Sequence, residues 1–173
     1  NAHHKTIGSY WLIALSFKIF GINEFSARLP GYIFSILSSL VLFKIIKKIS
    51  SFEIGIISIF TLSTSFLWFT YNKYCSPDTL YIFLNLLGVL YLLKLNNFLK
   101  SDTINRYLFI VGLLFSLSFF VRSYLQILPL ISLSPLILMK IKNLNYKNIR
   151  FLILGFFVGL IPLIIFYLIS YKT

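Results

Sequence analysis

Acidic residues are nearly absent from this chain, whose 173 residues include four of them: Glu24, Glu53, Asp78 and Asp102. Charged residues of both signs make up 12% of the chain. A soluble domain carries roughly 25%. Because 58% of the residues are hydrophobic, a folded chain of this composition could not cover its surface with polar groups. This excludes a soluble globular domain and predicts a surface that faces lipid.

Cysteine is equally scarce, since Cys75 stands alone and excludes a disulfide within the chain. The formal net charge of +12 raises the question of nucleic-acid binding. The Lys and Arg residues, however, lie in the gaps between apolar runs, where membrane topology places them. We therefore expect no nucleic-acid partner, and expect membrane lipid around the chain.

Six apolar runs indicate an all-α fold, a polytopic transmembrane helical bundle with about six spans. A helix that crosses the bilayer needs about 20 residues, and the first, fourth and fifth runs must gain length from their flanks. The six runs are Gly31–Phe43, Ile54–Tyr71, Leu80–Leu95, Tyr107–Val121, Leu125–Met139 and Phe151–Tyr171.

Basic residues are unequally divided between the gaps on the two sides of these runs. One side has Lys73, Arg122 and Lys172. The other side has ten basic residues. By the positive-inside rule, this side is expected to be cytoplasmic. The ten are Lys44, Lys47, Lys48, Lys94, Lys100, Arg106, Lys140, Lys142, Lys147 and Arg150.

The first thirty residues are expected to form an outer loop. Ser9–Phe20 is apolar but too short to span, which favours a juxtamembrane helix lying on the outer leaflet and ending at Gly21. Glu24–Leu29 is predicted to form a second short turn in which Arg28 pairs with Glu24, and Pro30-Gly31 to mark the start of the first span. Residues 1–173 then form a single domain, with outer loop 1–30 and bundle 31–173. Since no initiator Met is present, we expect a fragment of a longer protein.

Charged residues near a membrane are costly, so each is a candidate for function. Asp78 follows the second run on the outer side, where it is either a functional carboxylate or a helix N-cap. Arg122, between the fourth and fifth runs, suits an anionic phosphate as well as it suits an interfacial anchor. His3 and His4 are a weak signal for metal ligands, since no third ligand is suitably spaced, and a solvated terminus explains them better.

The order of these features is informative. His4 to Leu12 (HKTIGSYWL) is followed by Phe20 to Pro30 (FGINEFSARLP) and a span, then by Tyr74 with Asp78, and later by Arg122. This order resembles the dolichyl-phosphate-mannose protein mannosyltransferase superfamily, in particular its bacterial branch with the lipid A aminoarabinose transferases. The resemblance covers essentially the whole chain.

The resemblance implies a GT-C membrane glycosyltransferase with its site on the periplasmic or outer face of a bacterial inner membrane. Such an enzyme moves a sugar from a polyprenyl-phosphate carrier to a lipid, glycan or protein acceptor, with inversion. It implies substrate binding by Lys5, Arg122, His4 and Tyr10, with Asp78 as the catalytic candidate.

Two departures from that family limit the assignment. The usual catalytic base lies upstream of this chain, so the fragment alone is expected to be inactive. His4 stands where the aminoarabinose branch has an acidic residue. No metal ligand is assigned, and a divalent metal cofactor is left open.

Two other functions fit the composition. A transporter or flippase of lipid-linked saccharides would use similar outer cations, but it should also have ionisable residues deep in its spans, and the six runs have none. An inert membrane anchor would not need an ordered set of polar motifs on one face. Neither the sugar nor the acceptor can be identified from the sequence.

Overall fold

The computed structural model describes residues 8–73, 76–95, 101–141 and 146–170, and the regular structure within these ranges is entirely helical. The expected all-α fold is therefore confirmed. The chain divides into two compact units, Asn1–Leu87 and Gly88–Thr173. The helices are α1 Gly8–Phe20, α2 Glu24–Ile49, α3 Phe52–Thr64, α4 Phe66–Lys73, α5 Asp78–Lys94, α6 Ser101–Arg122, a 3₁₀ turn Ser123–Gln126, α7 Ile127–Ile141 and α8 Tyr146–Ser170.

The end of α1 was placed correctly at Gly21. This glycine has a φ of 79°, and its N–H donates to the carbonyl oxygen of Phe17 over 2.9 Å. Such a left-handed residue closes a helix, and glycine adopts the conformation without steric cost. With 13 residues, α1 is about 20 Å long, which is too short to cross about 30 Å of hydrocarbon.

The start of α2 lies earlier than the sequence indicated. The Asn23 Oδ1 accepts from the Ser26 N–H at 2.8 Å, and the Ser26 hydroxyl oxygen accepts from the Asn23 N–H at 3.2 Å. This reciprocal capping box starts the helix at Glu24, and Pro30 lies inside it. The expectation of a separate turn before a span beginning at Pro30-Gly31 is wrong, because the helix continues through Pro30. Prolines inside membrane helices are tolerated where neighbouring groups satisfy the backbone carbonyl that the proline leaves without a donor.

The pairing expected between Arg28 and Glu24 is confirmed. The Arg28 Nη2 lies 3.2 Å from the Glu24 Oε2, one helical turn away. Glu24 is 86% exposed, so this pair contributes little to stability.

A two-residue connection, Ser50 and Ser51, joins α2 to α3, and the chain then runs back along α2. The predicted run Ile54–Tyr71 is broken at Ser65 into α3 and α4, whose axes differ by 60°. Ser65 has extended backbone angles. Its N–H donates to Leu62 at 3.1 Å and its carbonyl accepts from Phe69 at 3.0 Å, so it ends one helix and starts the next. Both α3 and α4 contact α2.

Small polar side chains are buried beside apolar ones in the helix packing, and many large apolar side chains lie outside, the reverse of a soluble surface. Ser38, Ser116 and Ser118 are fully buried, whereas Phe60 is 70% exposed and Met139 is 71% exposed. Buried hydroxyls can bond to their own helix, as when the Ser118 hydroxyl donates to the Leu114 carbonyl over 3.0 Å. This reversal is favourable only where the solvent is hydrocarbon, and small residues between helices are typical of membrane packing.

The second unit is organised by close packing of α6 against α8. Gly155 lies against the backbone of Phe109, whereas Gly159, one turn later, lies against Leu113 and Ser116. The contacting residues follow the same order on both helices, from Phe109 to Leu113 on α6 and from Gly155 to Gly159 on α8. The two helices therefore run parallel. A backbone approach this close requires glycine, and Gly155 and Gly159 form a G-x-x-x-G pair.

The ends of α5 and α7 also meet in the second unit. The Lys140 ammonium donates to the Leu95 carbonyl over 3.2 Å, and this cation therefore lies at the C-terminal end of α5. An apolar cluster connects these helices to α6. It contains Leu92, Leu95, Ile104, Leu108, Val111 and Phe115.

Three helical segments of the described residues are long and apolar enough to cross a membrane: Glu24–Ile49, Ser101–Arg122 and Asn148–Ile165. The bent pair of α3 and α4 is a fourth if it counts as one span. The apolar helices α5 and α7 have 17 and 15 residues. At 1.5 Å per residue each falls short of about 30 Å without its flanks.

Candidate functional site

Asp78 occupies the first turn of α5. The Pro77 carbonyl accepts from the Tyr81 N–H at 3.0 Å, so Pro77 holds the cap position and Asp78 is the first helical residue. The Ser76 hydroxyl donates to the Asp78 Oδ2, and the Asp78 N–H donates to the Ser76 oxygen at 3.4 Å. A negative side chain in the first turn of a helix interacts favourably with the positive end of the helix dipole. Asp78 therefore lies one position after the cap, and its catalytic role stays a prediction.

A narrow crevice brings the start of α5 against the first turns of α1 and α2. It has a volume of about 20 Å³, which is enough for one water molecule, and its lining includes Ser9, Pro30, Gly31, Ser76 and Thr79. Ser9 is 6% exposed, and its hydroxyl has no hydrogen-bond partner among the described residues. Ser76, which holds the carboxylate of Asp78, therefore lies beside the beginning of α1.

The predicted substrate-binding residues at the N-terminus are only partly described. Tyr10 lies in the first turn of α1 and is 45% exposed. His4 and Lys5 lie outside the described residues, a few positions before α1. Their roles stay predictions.

Arg122 is the last residue of α6, and it is partly buried. A cation at a helix C-terminus interacts favourably with the dipole, which fixes its position at the end of a span. Asp78 belongs to the first unit and Arg122 to the second. Their convergence with Lys5 on one cavity stays a prediction.

A second polar site was not anticipated from the sequence. Arg28, near the start of α2, and Lys73, at the end of α4, line a cavity of about 370 Å³ together with Phe66, Phe69 and Thr70. The Lys73 ammonium lies 4.2 Å from the centre of the Phe69 ring. The sequence predicts that Arg28 pairs with Glu24 and that Lys73 is one basic residue of an outer gap. It does not predict that the two residues lie together, because 45 positions separate them.

A metal centre needs several ligands close together. Across residues 8–73, 76–95, 101–141 and 146–170, no group of three or more His, Cys, Asp or Glu side chains could hold an ion. His3 and His4 lie outside these ranges, so the described residues assign no metal site.

Long apolar helices with many exposed large hydrophobic side chains define the class of this protein as a multi-pass helical membrane protein. The chain belongs to the dolichyl-phosphate-mannose-protein mannosyltransferase family, whose sequence profile matches residues 4–168. The family resemblance of the N-terminal motifs is thereby confirmed.

Two uncharacterised proteins of Aquifex aeolicus (strain VF5) are similar to this chain. One is 29% identical over 148 residues, which cover 85% of this chain and 33% of that protein. The other is 28% identical over 76 residues, which cover 43% of this chain and 15% of its own length. The chain thus spans a third or less of each relative. No solved structure matches it significantly.

Proposed function

We propose that this chain is the membrane core of a glycosyltransferase that moves a sugar from a polyprenyl-phosphate carrier to an acceptor at the outer membrane face. The observation that carries the proposal is the family match over residues 4–168. The placement of Asp78 supports it. A carboxylate held by Ser76 lies at a helix start beside α1, the segment that bears the motif of the family.

Each charged residue has a role in the proposed transfer reaction. The acceptor hydroxyl attacks the anomeric carbon, the bond from that carbon to the phosphate oxygen breaks, and its electron pair leaves with the lipid phosphate. The acceptor proton passes to a carboxylate, and cations near the phosphate stabilise the charge that develops. We assign Lys5 and Arg122 to the phosphate, and assign Asp78 to orienting Lys5 or the acceptor. The general base itself is assigned to no residue of this chain.

The proposed topology has about six spans, with the His3 region, Asp78 and Arg122 on the outer side. The described helices fit this order. The bond from Lys140 to Leu95 brings together the ends of α5 and α7, which the alternating order places on the same side. The parallel packing of α6 with α8 likewise agrees with two spans that cross in the same direction.

Asn substitution of Asp78 in the full-length protein tests the catalytic assignment. Asn stabilises a helix start about as well as Asp, so Asp78→Asn should preserve helix content while removing the charge. We expect a loss of transfer of at least tenfold, measured as sugar bound to acceptors of a membrane extract after incubation with a panel of polyprenyl-phosphate sugars.

The matched control is Asp102→Asn. Asp102 is also an acidic residue in the first turn of a helix, at the start of α6. Its replacement should leave transfer unchanged. A fully active Asp78→Asn enzyme would reduce Asp78 to a structural residue, and transfer that is absent even in the wild-type protein with every donor would refute the proposed function.

A further inference from the structure

The cavity between Arg28 and Lys73 is created by the hairpin of the first unit. The chain leaves the end of α2, turns at Ser50 and Ser51, and returns through α3 and α4, so that the end of α4 reaches the start of α2. Arg28 and Lys73 therefore lie at the same end of the hairpin. In a membrane this end lies at the level of the lipid headgroups.

The cavity carries a net positive charge. Arg28 forms a salt bridge with Glu24, and among the described residues Lys73 pairs with no carboxylate. Glu24 is 86% exposed and contacts one nitrogen of the Arg28 guanidinium, which has five N–H donors. The two cations and one carboxylate leave a charge of about +1 beside the cavity.

The rest of the lining suits a lipid rather than a soluble anion. Phe66 is 77% exposed and Phe69 is 56% exposed, and both lie where acyl chains would contact the protein. The Thr70 hydroxyl donates to the Phe66 carbonyl over 2.7 Å, so its oxygen is left to accept a hydrogen bond from a headgroup hydroxyl. Two cations beside two exposed aromatic rings match a phosphodiester with its attached chains.

We propose that this cavity, lined by Arg28, Phe66, Phe69, Thr70 and Lys73, binds the phosphate of an anionic glycerophospholipid headgroup. The guanidinium of Arg28 and the ammonium of Lys73 hold the phosphate oxygens, and the two rings contact the upper acyl chains. The lining of this cavity shares no residue with the crevice beside Asp78, and the proposal does not rest on the proposed function.

Native mass spectrometry of the full-length protein in detergent tests the proposal with phosphatidylglycerol and phosphatidylcholine of identical acyl chains. A single cation near a membrane surface contributes about 1 kcal/mol, or about fivefold in affinity. We expect wild-type protein to prefer phosphatidylglycerol, Lys73→Gln to lose about fivefold of that preference, and Lys73→Arg to retain it. Lys73 lies at a helix end and is exposed, so its replacement should leave the fold intact.

The matched control is Lys47→Gln. The Lys47 ammonium also lies over a phenylalanine ring, 5.5 Å from the centre of Phe52, but it does not line the cavity. This variant should keep the full preference. Equal losses in Lys47→Gln and Lys73→Gln would show a general charge effect and overturn the site.

Two further measurements separate the sources of phosphate. Millimolar inorganic phosphate should not displace phosphatidylglycerol, and displacement would overturn the lipid assignment. If Lys73→Gln weakens retention of polyprenyl phosphate and leaves phosphatidylglycerol unchanged, the cavity belongs to the sugar carrier and the proposal is wrong.

Discussion

Replacement of Gly155 by alanine should destabilise the second unit. A Cβ at this position would overlap the Phe109 carbonyl oxygen and would lie 2.9 and 3.0 Å from the carbonyl carbon and Cα of the same residue. These are backbone atoms of the facing helix and cannot rotate away. The substitution therefore forces α6 and α8 apart.

The expected magnitude follows from two opposed effects. Alanine is better than glycine in a helix by about 1 kcal/mol. Overpacking of a close interface costs about 1–3 kcal/mol, and a backbone obstacle favours the upper part of that range. We therefore expect Gly155→Ala to lower the free energy of unfolding by about 1–2 kcal/mol, the difference between these two effects.

Gly88→Ala is the matched control. A Cβ on Gly88 would meet the ring of Phe115 at 3.0 and 3.1 Å, and a ring can shift by a few tenths of an ångström. The gain in helix propensity should then offset the repacking, and Gly88→Ala should stay within about 1 kcal/mol of the wild type.

Unfolding of the full-length protein in mixed detergent micelles, followed by circular dichroism, measures both free energies. Equal stability of Gly155→Ala and Gly88→Ala would refute the reasoning. It would mean that α6 and α8 are not held at backbone contact in solution.

Three further predictions concern the proposed site. Arg122→Gln in the full-length enzyme should reduce transfer about 10²–10³-fold, the usual effect of removing a preorganised charge-stabilising donor. The control Arg106→Gln, at the opposite end of the same helix, should have no such effect. Equal losses of transfer in both variants would show that Arg122 does not act in the site. In a Cys75→Ser background, an impermeant thiol reagent should label Asp78→Cys but not Lys47→Cys in intact cells, and the reverse pattern would invert the topology. The 173-residue segment alone should show no sugar transfer, and activity would show that the base is not upstream.

Local sequence signals located several features correctly because they act within one or two helical turns. The left-handed end of α1 at Gly21 needs only the absence of a Cβ, and the Arg28–Glu24 contact needs only the four-residue spacing of a helix. The start of α2 was predicted incorrectly, although the signal for it is also local. Asn23 and Ser26 form a capping box, which is a local signal for a helix that starts at Glu24. The prediction instead placed the start of the span at Pro30-Gly31.

For the candidate site, the sequence predicts that Asp78 lies at the start of a helix, but it does not predict which residues surround the carboxylate. The bond from Ser76 could be expected from adjacency, because short polar side chains two positions apart often bond at helix starts. The approach of Ser9 to this turn could not be expected, since it depends on how α1, α2 and the start of α5 come to line one crevice.

The sequence by itself determined the membrane class, the helical fold and the family, because composition, apolar run length and ordered motifs depend on no packing detail. Only the tertiary structure decided which faces meet. In lipid both faces of a helix are apolar, so hydrophobic periodicity does not distinguish a packed face from an exposed one. The backbone contact of Gly112 with Leu152, and the cavity between Arg28 and Lys73, each join residues about 40 positions apart. They form through the return of the chain across the membrane, which local sequence does not encode.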